Sequence, residues 1–167
     1  MKKLITILSI VFAVGISAQT IQPTIGITYS GGLDYAMENE PMGLKVGLLF
    51  TPKKNKAITN IELSVNYLYA FTPENPNMPD RSFYNLKLQF SKEVVEYWNI
   101  TAYGGYYNAF SGDVMRSFLG EYRTNLSYGL GLQVIDDYLT AEALYERICN
   151  FPFFTVGVTY KFKKIKL

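Results

Sequence analysis

Six charged residues lie among small polar residues on one face of segments in which polar and apolar residues alternate. They are Lys45, Glu62, Lys87, Glu142, Glu146 and Lys161. Three are lysines and three are glutamates, so the set is formally neutral. Charges that leave water are costly unless they are paired. The set therefore predicts an internal ion-pair network, and the open alternative is a gated ion path in which these pairs exchange partners.

The residues that the chain lacks exclude most enzymatic chemistry. It contains no histidine and one cysteine, Cys149, which permits no internal disulfide. Ser–His and Cys–His pairs are therefore impossible, and a zinc site lacks ligands. We expect a protein that is not an enzyme and that has no cofactor and no metal.

Period-two alternation defines the elements that would position these charges. One face of each segment is apolar, and the opposite face carries Thr, Ser, Asn, Gln, Gly and the charges. Segments of this length and pattern, even in number and separated by turns, are typical of transmembrane β-barrels. The eight segments are 24–30, 43–51, 60–69, 82–91, 98–108, 122–135, 138–147 and 153–162. The alternative that such a pattern leaves open is a soluble secreted β-sandwich or a lipocalin-like barrel.

Aromatic residues are concentrated near both ends of the predicted strands, with small aliphatic residues between them. Such sorting indicates two membrane interfaces. The outer set is Tyr29, Tyr67, Tyr69, Tyr84, Tyr106, Tyr145 and Phe154, and the inner set is Phe50, Phe90, Trp98, Tyr138, Tyr160 and Phe162. We therefore predict an all-β fold, a membrane-spanning antiparallel up-and-down β-barrel of eight strands.

The N-terminal residues carry a targeting signal. Lys2 and Lys3 precede an uncharged apolar run, and Ser17-Ala18 offers a small-residue cleavage site, as in a secretory signal peptide. We divide the chain into a signal peptide (1–18), a transmembrane barrel (19–162) and a short periplasmic tail (163–167). Without Lys2 and Lys3, the 14 basic residues balance the 14 acidic ones, so no nucleic-acid partner is indicated.

The last predicted strand resembles the C-terminal assembly signal of outer-membrane barrels. The matching residues are a polar residue, a glycine and two aromatics: Thr155, Gly157, Tyr160 and Phe162. The resemblance implies recognition by the barrel-assembly machinery, although the chain continues through "KKIKL" beyond the usual last aromatic. With eight segments, the mature chain resembles small outer-membrane β-barrels of the OmpA/OmpX type. That resemblance is to architecture and implies the outer membrane of a Gram-negative bacterium.

The arginines are separated from most lysines. Arg81, Arg116, Arg123 and Arg147 all map to outer loops or outer strand ends, whereas most lysines map to the periplasmic side. Arginine binds phosphate through a bidentate fork, so we expect contacts with lipopolysaccharide phosphates. The alternative is salt bridges to Asp80, Asp113 or Glu121 in the loops.

These observations predict a porin-like envelope protein with a plugged polar interior. It would act as a structural or surface-interaction protein through its extracellular loops. Its partners would be outer-membrane lipid, lipopolysaccharide and other envelope proteins. The alternatives are a small ion or solute channel and an accessory subunit of a larger envelope or secretion complex.

Overall fold

The computed structural model describes residues 18–32, 42–52, 58–70, 81–109, 126–148 and 151–166. The predicted signal peptide up to residue 17 lies outside these residues, as do the connections 33–41, 71–80, 110–125 and 149–150 (with Cys149) and residues 53–57. Within the described ranges there is no helix long and apolar enough to cross a membrane.

Eight long strands form one antiparallel sheet that closes on itself. Each strand pairs with the next along the chain, and the first pairs with both the second and the eighth. The strands are β1 (Ala18–Gly32), β2 (Met42–Pro52), β3 (Asn60–Ala70), β4 (Arg81–Val95), β5 (Trp98–Ala109), β6 (Leu126–Ile135), β7 (Leu139–Ile148) and β8 (Phe151–Lys161). The predicted eight-stranded up-and-down barrel is confirmed, and a sandwich of two sheets is excluded by the closure.

The barrel turns its polar face inward and its apolar face outward. Successive strand residues point to opposite faces, so β1 places Thr24 and Thr28 in the lumen and Ile25 and Ile27 outside. Leu130 on β6 is 64 % exposed, whereas Gln89 on β4 is fully buried. A soluble barrel would bury its apolar face, so the direction of the pattern separates this chain from a lipocalin-like protein.

Several strand ends differ from those predicted. β1 and β4 are longer, and the expected turn over 92–97 shrinks to Glu96 and Tyr97. Tyr97 has φ of 66°, because the two-residue turn between twisted strands requires left-handed backbone there. Tyr138 and Phe162 lie just outside β7 and β8. Residues 122–125 of the sixth predicted segment lie outside the described residues.

Part of the predicted periplasmic tail forms a further short strand, β9 (Ile165–Lys166). Its two residues pair antiparallel with Ile21 and Thr20 of β1, on the edge that β8 occupies farther up the strand. The chain thus pairs with β1 twice: first through β8, and again through β9 after the irregular residues 162–164.

One predicted interface aromatic is not displayed on the outer wall. Phe50 is only 3 % exposed and packs with Ile61, with Ile21 and Ile58 beside them. Ile58, which precedes β3, therefore covers this part of the outer face. The predicted placement of Phe50 in an exposed inner belt was wrong, because alternation gives the face of a residue but not what lies against it.

Candidate functional site

The barrel lumen holds all six charged residues that the sequence singled out. All six are buried, because each occupies the inward-facing parity of its strand. We call the barrel end that carries the connections after β1, β3, β5 and β7, of which the first three are long, the loop end. The opposite end, with the connections after β2, β4 and β6, is the turn end.

Lys45, Glu62 and Glu142 form one cluster, the turn-side triad. The Lys45 Nζ atom lies 3.0 Å from Oε2 of Glu62 and 3.0 Å from Oε1 of Glu142. These residues come from β2, β3 and β7, so Lys45 reaches across the lumen to Glu142. One cation therefore neutralises two carboxylates, and the triad carries a formal charge of −1.

Neutral donors complete the coordination of the two carboxylates in the triad. Thr24 Oγ1 donates to Glu62 Oε1 at 3.2 Å. The amides of Gln133 and Gln89 donate to Glu142 Oε2 at 3.1 and 3.3 Å. Hydrogen bonds to a carboxylate stabilise its charge when water is absent, and they offset part of the excess negative charge.

Lys87 and Glu146 form a second cluster, the loop-side pair. Lys87 Nζ lies 2.6 Å from Glu146 Oε2 and 4.4 Å from the ring centroid of Tyr103. The Tyr103 hydroxyl and Thr155 Oγ1 both donate to the same carboxylate. The pair is formally neutral, and its cation has both a carboxylate and an aromatic face for partners.

Lys161 lies apart from both clusters, near the turn end. Its Nζ donates to the backbone carbonyl of Asp136 in the β6–β7 turn. Within the described part of the chain no carboxylate forms an ion pair with it. The geometry thus brings five of the six predicted residues into two clusters and leaves the sixth as a cap on a turn.

The backbone of the strands packs closely against the side chains of both clusters. A Cβ atom added at Gly129 would lie 2.6 Å from Tyr103 Cε1 and 2.9 Å from Glu146 Cβ. One added at Gly157 would lie 3.2 Å from Glu142 Oε1. Glycine at these positions lets the strand backbone approach the charged side chains. Leu144 is buried between the two clusters on β7, and toward the loop end the lumen also buries Leu68 and Phe153.

Sequence reasoning missed the neutral partners of the charges. Tyr103, Gln89 and Gln133 each contact a buried glutamate. All three lie at inward-facing positions of their strands, so the alternation that identified the charges would have identified them as well. No group of three or more His, Cys, Asp or Glu side chains suited to a metal ion occurs among the residues that the structure describes.

Only one of the four predicted phosphate-binding arginines has a described side chain. Arg147 lies on the outward face of β7 near the loop end, exposed, and its register partner on β6 is Tyr128. Its guanidinium interacts with the hydroxyls of Tyr128 and Tyr145. Arg116 and Arg123 lie outside the described residues, and only the backbone of Arg81 is described.

The four residues of the predicted assembly signal divide between the two faces of β8 and its end. Thr155 and Gly157 face the lumen, where Thr155 donates to Glu146 and Gly157 makes room for Glu142. Tyr160 and Phe162 are half exposed, with their rings edge-to-face at 5.2 Å between centroids. Two of the four residues thus have a packing role in the folded barrel.

Comparison with known proteins identifies the fold and not a family. No protein-family model matches the chain, and no curated protein sequence matches it. Solved structures do match. The attachment invasion locus protein Ail of Yersinia pestis is 16 % identical, with a TM-score of 0.52 over 87 % of this chain and 99 % of that one. Ail has also been solved in complex with the heparin analogue sucrose octasulfate.

Two further matches have the same architecture. The N-terminal β-barrel domain of Pseudomonas aeruginosa OprF is 10 % identical, with a TM-score of 0.54 over 87 % of this chain and 98 % of that domain. A de novo designed transmembrane β-barrel is 11 % identical, with a TM-score of 0.55 over 84 % and 95 % of the two chains. The chain therefore has the fold of small eight-stranded barrels of the OmpA/OmpX type.

Proposed function

We propose that this chain is a non-enzymatic outer-membrane protein of a Gram-negative bacterium. Its lumen is plugged by charged and hydrogen-bonded side chains, and it acts through its loops as a structural or surface-interaction protein. Assembly proceeds through the barrel-assembly machinery, with the last strand as the recognised segment.

The plugged interior is proposed because ion-paired and hydrogen-bonded side chains cross the lumen. An eight-stranded barrel has an interior just wide enough for side chains to fill it. Here the turn-side triad and the loop-side pair both span that interior, and glycines admit the backbone around them. A path for ions would require several buried charges to lose their partners at once, which is costly.

The outward face supports insertion in a bilayer. Ile27, Leu130 and Val158 are exposed apolar residues on different strands, and a soluble protein rarely exposes so continuous an apolar surface. A closed barrel satisfies every strand hydrogen bond without an edge, which is what a lipid environment requires. The resemblance in fold to barrels of outer membranes is consistent with that location.

Conductance of the purified barrel in planar lipid bilayers tests the plug. We expect no single-channel steps above the lipid background from a protein that migrates as a compact monomer unheated and shifts on boiling. Lys87→Ala should lower the stability of the barrel without opening a defined conductance. Regular steps in the wild type, altered in Lys87→Ala, would instead establish the small channel as the function.

The remaining alternative is an accessory subunit of a larger envelope or secretion complex. The native size of the protein in mild-detergent extracts of the cell's own outer membrane tests it. A species of monomer mass supports a self-contained barrel. A much larger species would assign the function to an envelope or secretion complex and would contradict the proposal.

The charge of the loop end favours a phosphate-bearing lipid over a free polyanion as the surface partner. By sequence, the longer connections and the loop-end strand termini carry seven carboxylates against four arginines, so a soluble polyanion such as the heparin analogue bound to Ail would meet net repulsion. Arg147, by contrast, stands on the outer wall between two tyrosines. Such an arrangement suits the phosphates of lipopolysaccharide beside the barrel.

Co-purified lipopolysaccharide measures this contact. Arg147→Gln should retain less of it than the wild type, and Lys92→Gln, which removes the same charge at the turn end, should retain the same amount. Equal retention in both variants would contradict a role of Arg147 in binding lipid phosphate.

A further inference from the structure

The segment that follows β8 is held against the barrel although barrel closure does not need it. The Phe162 amide donates to the carbonyl of Pro23 at 3.0 Å, and Gln22 Nε2 donates to the carbonyl of Phe162 at 2.6 Å. Farther on, Ile165 and Lys166 pair with β1. We call residues 162–166 the anchored tail, because both of its ends are hydrogen-bonded to the first strand.

The side chains of the anchored tail combine positive charge with exposed apolar groups. Lys163, Lys164 and Lys166 are exposed, Phe162 is 46 % exposed and Ile165 is 55 % exposed. Lys164 approaches Asp137 at 3.7 Å, but both side chains are mostly in solvent, so this ion pair contributes little. The tail therefore presents three ammonium groups to an external anion.

We infer that the anchored tail binds the phosphate groups of anionic phospholipids in the leaflet at the turn end of the barrel. This inference rests on the proposed function, since it requires the barrel to lie in a bilayer. Phe162 stacks edge-to-face on Tyr160, which is on the outward face. Aromatic rings at a bilayer interface with lysines beside them form the arrangement that attracts anionic headgroups.

Among the described turn residues, only Asp137 lies within ion-pair distance of a lysine of the tail. The carboxylates of the described turns are Glu96 between β4 and β5, and Asp136 and Asp137 between β6 and β7. The tail itself contains no acidic residue. A lysine near an anionic membrane surface raises local affinity about five-fold, so three lysines held on one short backbone segment should enrich anionic lipid measurably.

The lipid composition next to the tail can be read with the chain's single tryptophan. Trp98 lies on the outward face of β5, half exposed, away from the tail strands β1 and β8. Trp98→Phe combined with Phe162→Trp moves the indole to the tail. Both single-tryptophan proteins are folded into vesicles of phosphatidylcholine and phosphatidylglycerol in which one or the other lipid carries brominated chains. The ratio of quenching by the two brominated lipids gives the local selectivity.

We expect the tail indole to prefer phosphatidylglycerol by at least about five-fold at low salt, the effect of one lysine. The preference should fall toward one in Lys163→Gln/Lys164→Gln/Lys166→Gln and at about 1 M salt, where charges are screened within about 3 Å. The Trp98 indole should show a ratio near one throughout. Lys163→Gln alone should lower the tail ratio, whereas Lys92→Gln, which removes one positive charge from β4 at the same end of the barrel, should leave it in place.

The outcomes separate the inference from the function on which it rests. If neither indole is quenched by either brominated lipid, the chain is not in the bilayer, and both fail. If both are quenched but the tail ratio is one, the inference alone fails; binding of the lysines to a carboxylate-bearing polymer would give this result. An equal loss of selectivity in Lys163→Gln and Lys92→Gln would assign the effect to net charge and would also overturn the inference.

Discussion

The turn-side triad and the loop-side pair bury charge in the same lumen with different stoichiometry. In the triad, Lys45 lies 3.0 Å from each of two carboxylates. In the pair, Lys87 lies 2.6 Å from one carboxylate, and Tyr103 supplies both a ring for the cation and a hydroxyl for the anion. In the triad one cation and three neutral donors serve two carboxylates, whereas in the pair one cation and two hydroxyls serve a single carboxylate.

The stability of the charged clusters therefore cannot be judged from the formal neutrality of the whole lumen. The six charges balance, yet Lys161 donates to a turn carbonyl and not to the triad. The stability of each cluster is therefore set by its own donors and acceptors. Removing a cation should cost more where it leaves two carboxylates without a counter-charge and fewer neutral donors for each of them.

The largest effect is expected for Lys45→Met, which leaves two buried carboxylates without a cation. Loss of one partner from a buried ion pair typically costs about 3–5 kcal/mol, and we expect the upper part of that range here. The free energy of unfolding in urea, followed by the mobility of the unheated protein, measures it. Lys92→Met, the same substitution at an exposed site, should change it by less than about 0.5 kcal/mol.

Lys87→Met should cost less, about 3 kcal/mol, because the Glu146 carboxylate keeps two hydroxyl donors, Tyr103 and Thr155. The same unfolding measurement applies. A cost equal to or larger than that of Lys45→Met would contradict the comparison between the two clusters.

Tyr103→Phe sharpens the comparison by removing only the hydroxyl from the loop-side pair. The ring remains beside Lys87, and Glu146 loses one of its three donors. A hydrogen bond to a charged group contributes about 1.5–3 kcal/mol, so we expect a loss near the lower limit. In the Lys87→Met background the same change should cost more, since the hydroxyl then carries a larger share of the carboxylate's stabilisation.

The smallest effect is expected for Glu62→Gln, which converts the triad into a one-to-one pair of Lys45 and Glu142. The amide oxygen can still accept a hydrogen bond from Lys45, the amide NH2 can donate to Thr24 Oγ1, and one excess buried negative charge is removed. The unfolding free energy should change by less than about 1 kcal/mol, because relief of like-charge repulsion offsets the lost attraction. A loss as large as that of Lys45→Met would mean that both carboxylates are needed to hold the lysine.

The fold followed from the sequence because the alternation of faces depends only on neighbouring residues. Ile25 and Ile27 against Thr24 and Thr28 already give the two faces of β1, and a period of two permits only strands. Closure also followed, since eight such segments in a membrane cannot leave an edge unpaired. Strand ends were less accurate: polar or mixed segments such as 92–95 carry no alternation.

The pairing within the lumen could not be predicted, because it depends on the register around the whole barrel. Lys45 meets Glu142 across 97 positions in the chain, and parity alone places Lys161 equally well inside. Its position near the strand end brings it to a turn carbonyl instead. The anchored tail was likewise beyond prediction, since "KKIKL" shows no strand pattern and its order comes from bonds to Gln22, Pro23 and the start of β1.

The two cross-lumen contacts also have a mechanical consequence. Hydrogen bonds between neighbouring strands fix the circumference of the barrel, but a ring of constant circumference can still flatten into an ellipse. Lys45–Glu142 connects β2 with β7, and Lys87–Glu146 connects β4 with β7; neither pair of strands is adjacent. These contacts act as struts, so lateral pressure on the wall should tilt the barrel as a rigid body and not compress its cross-section.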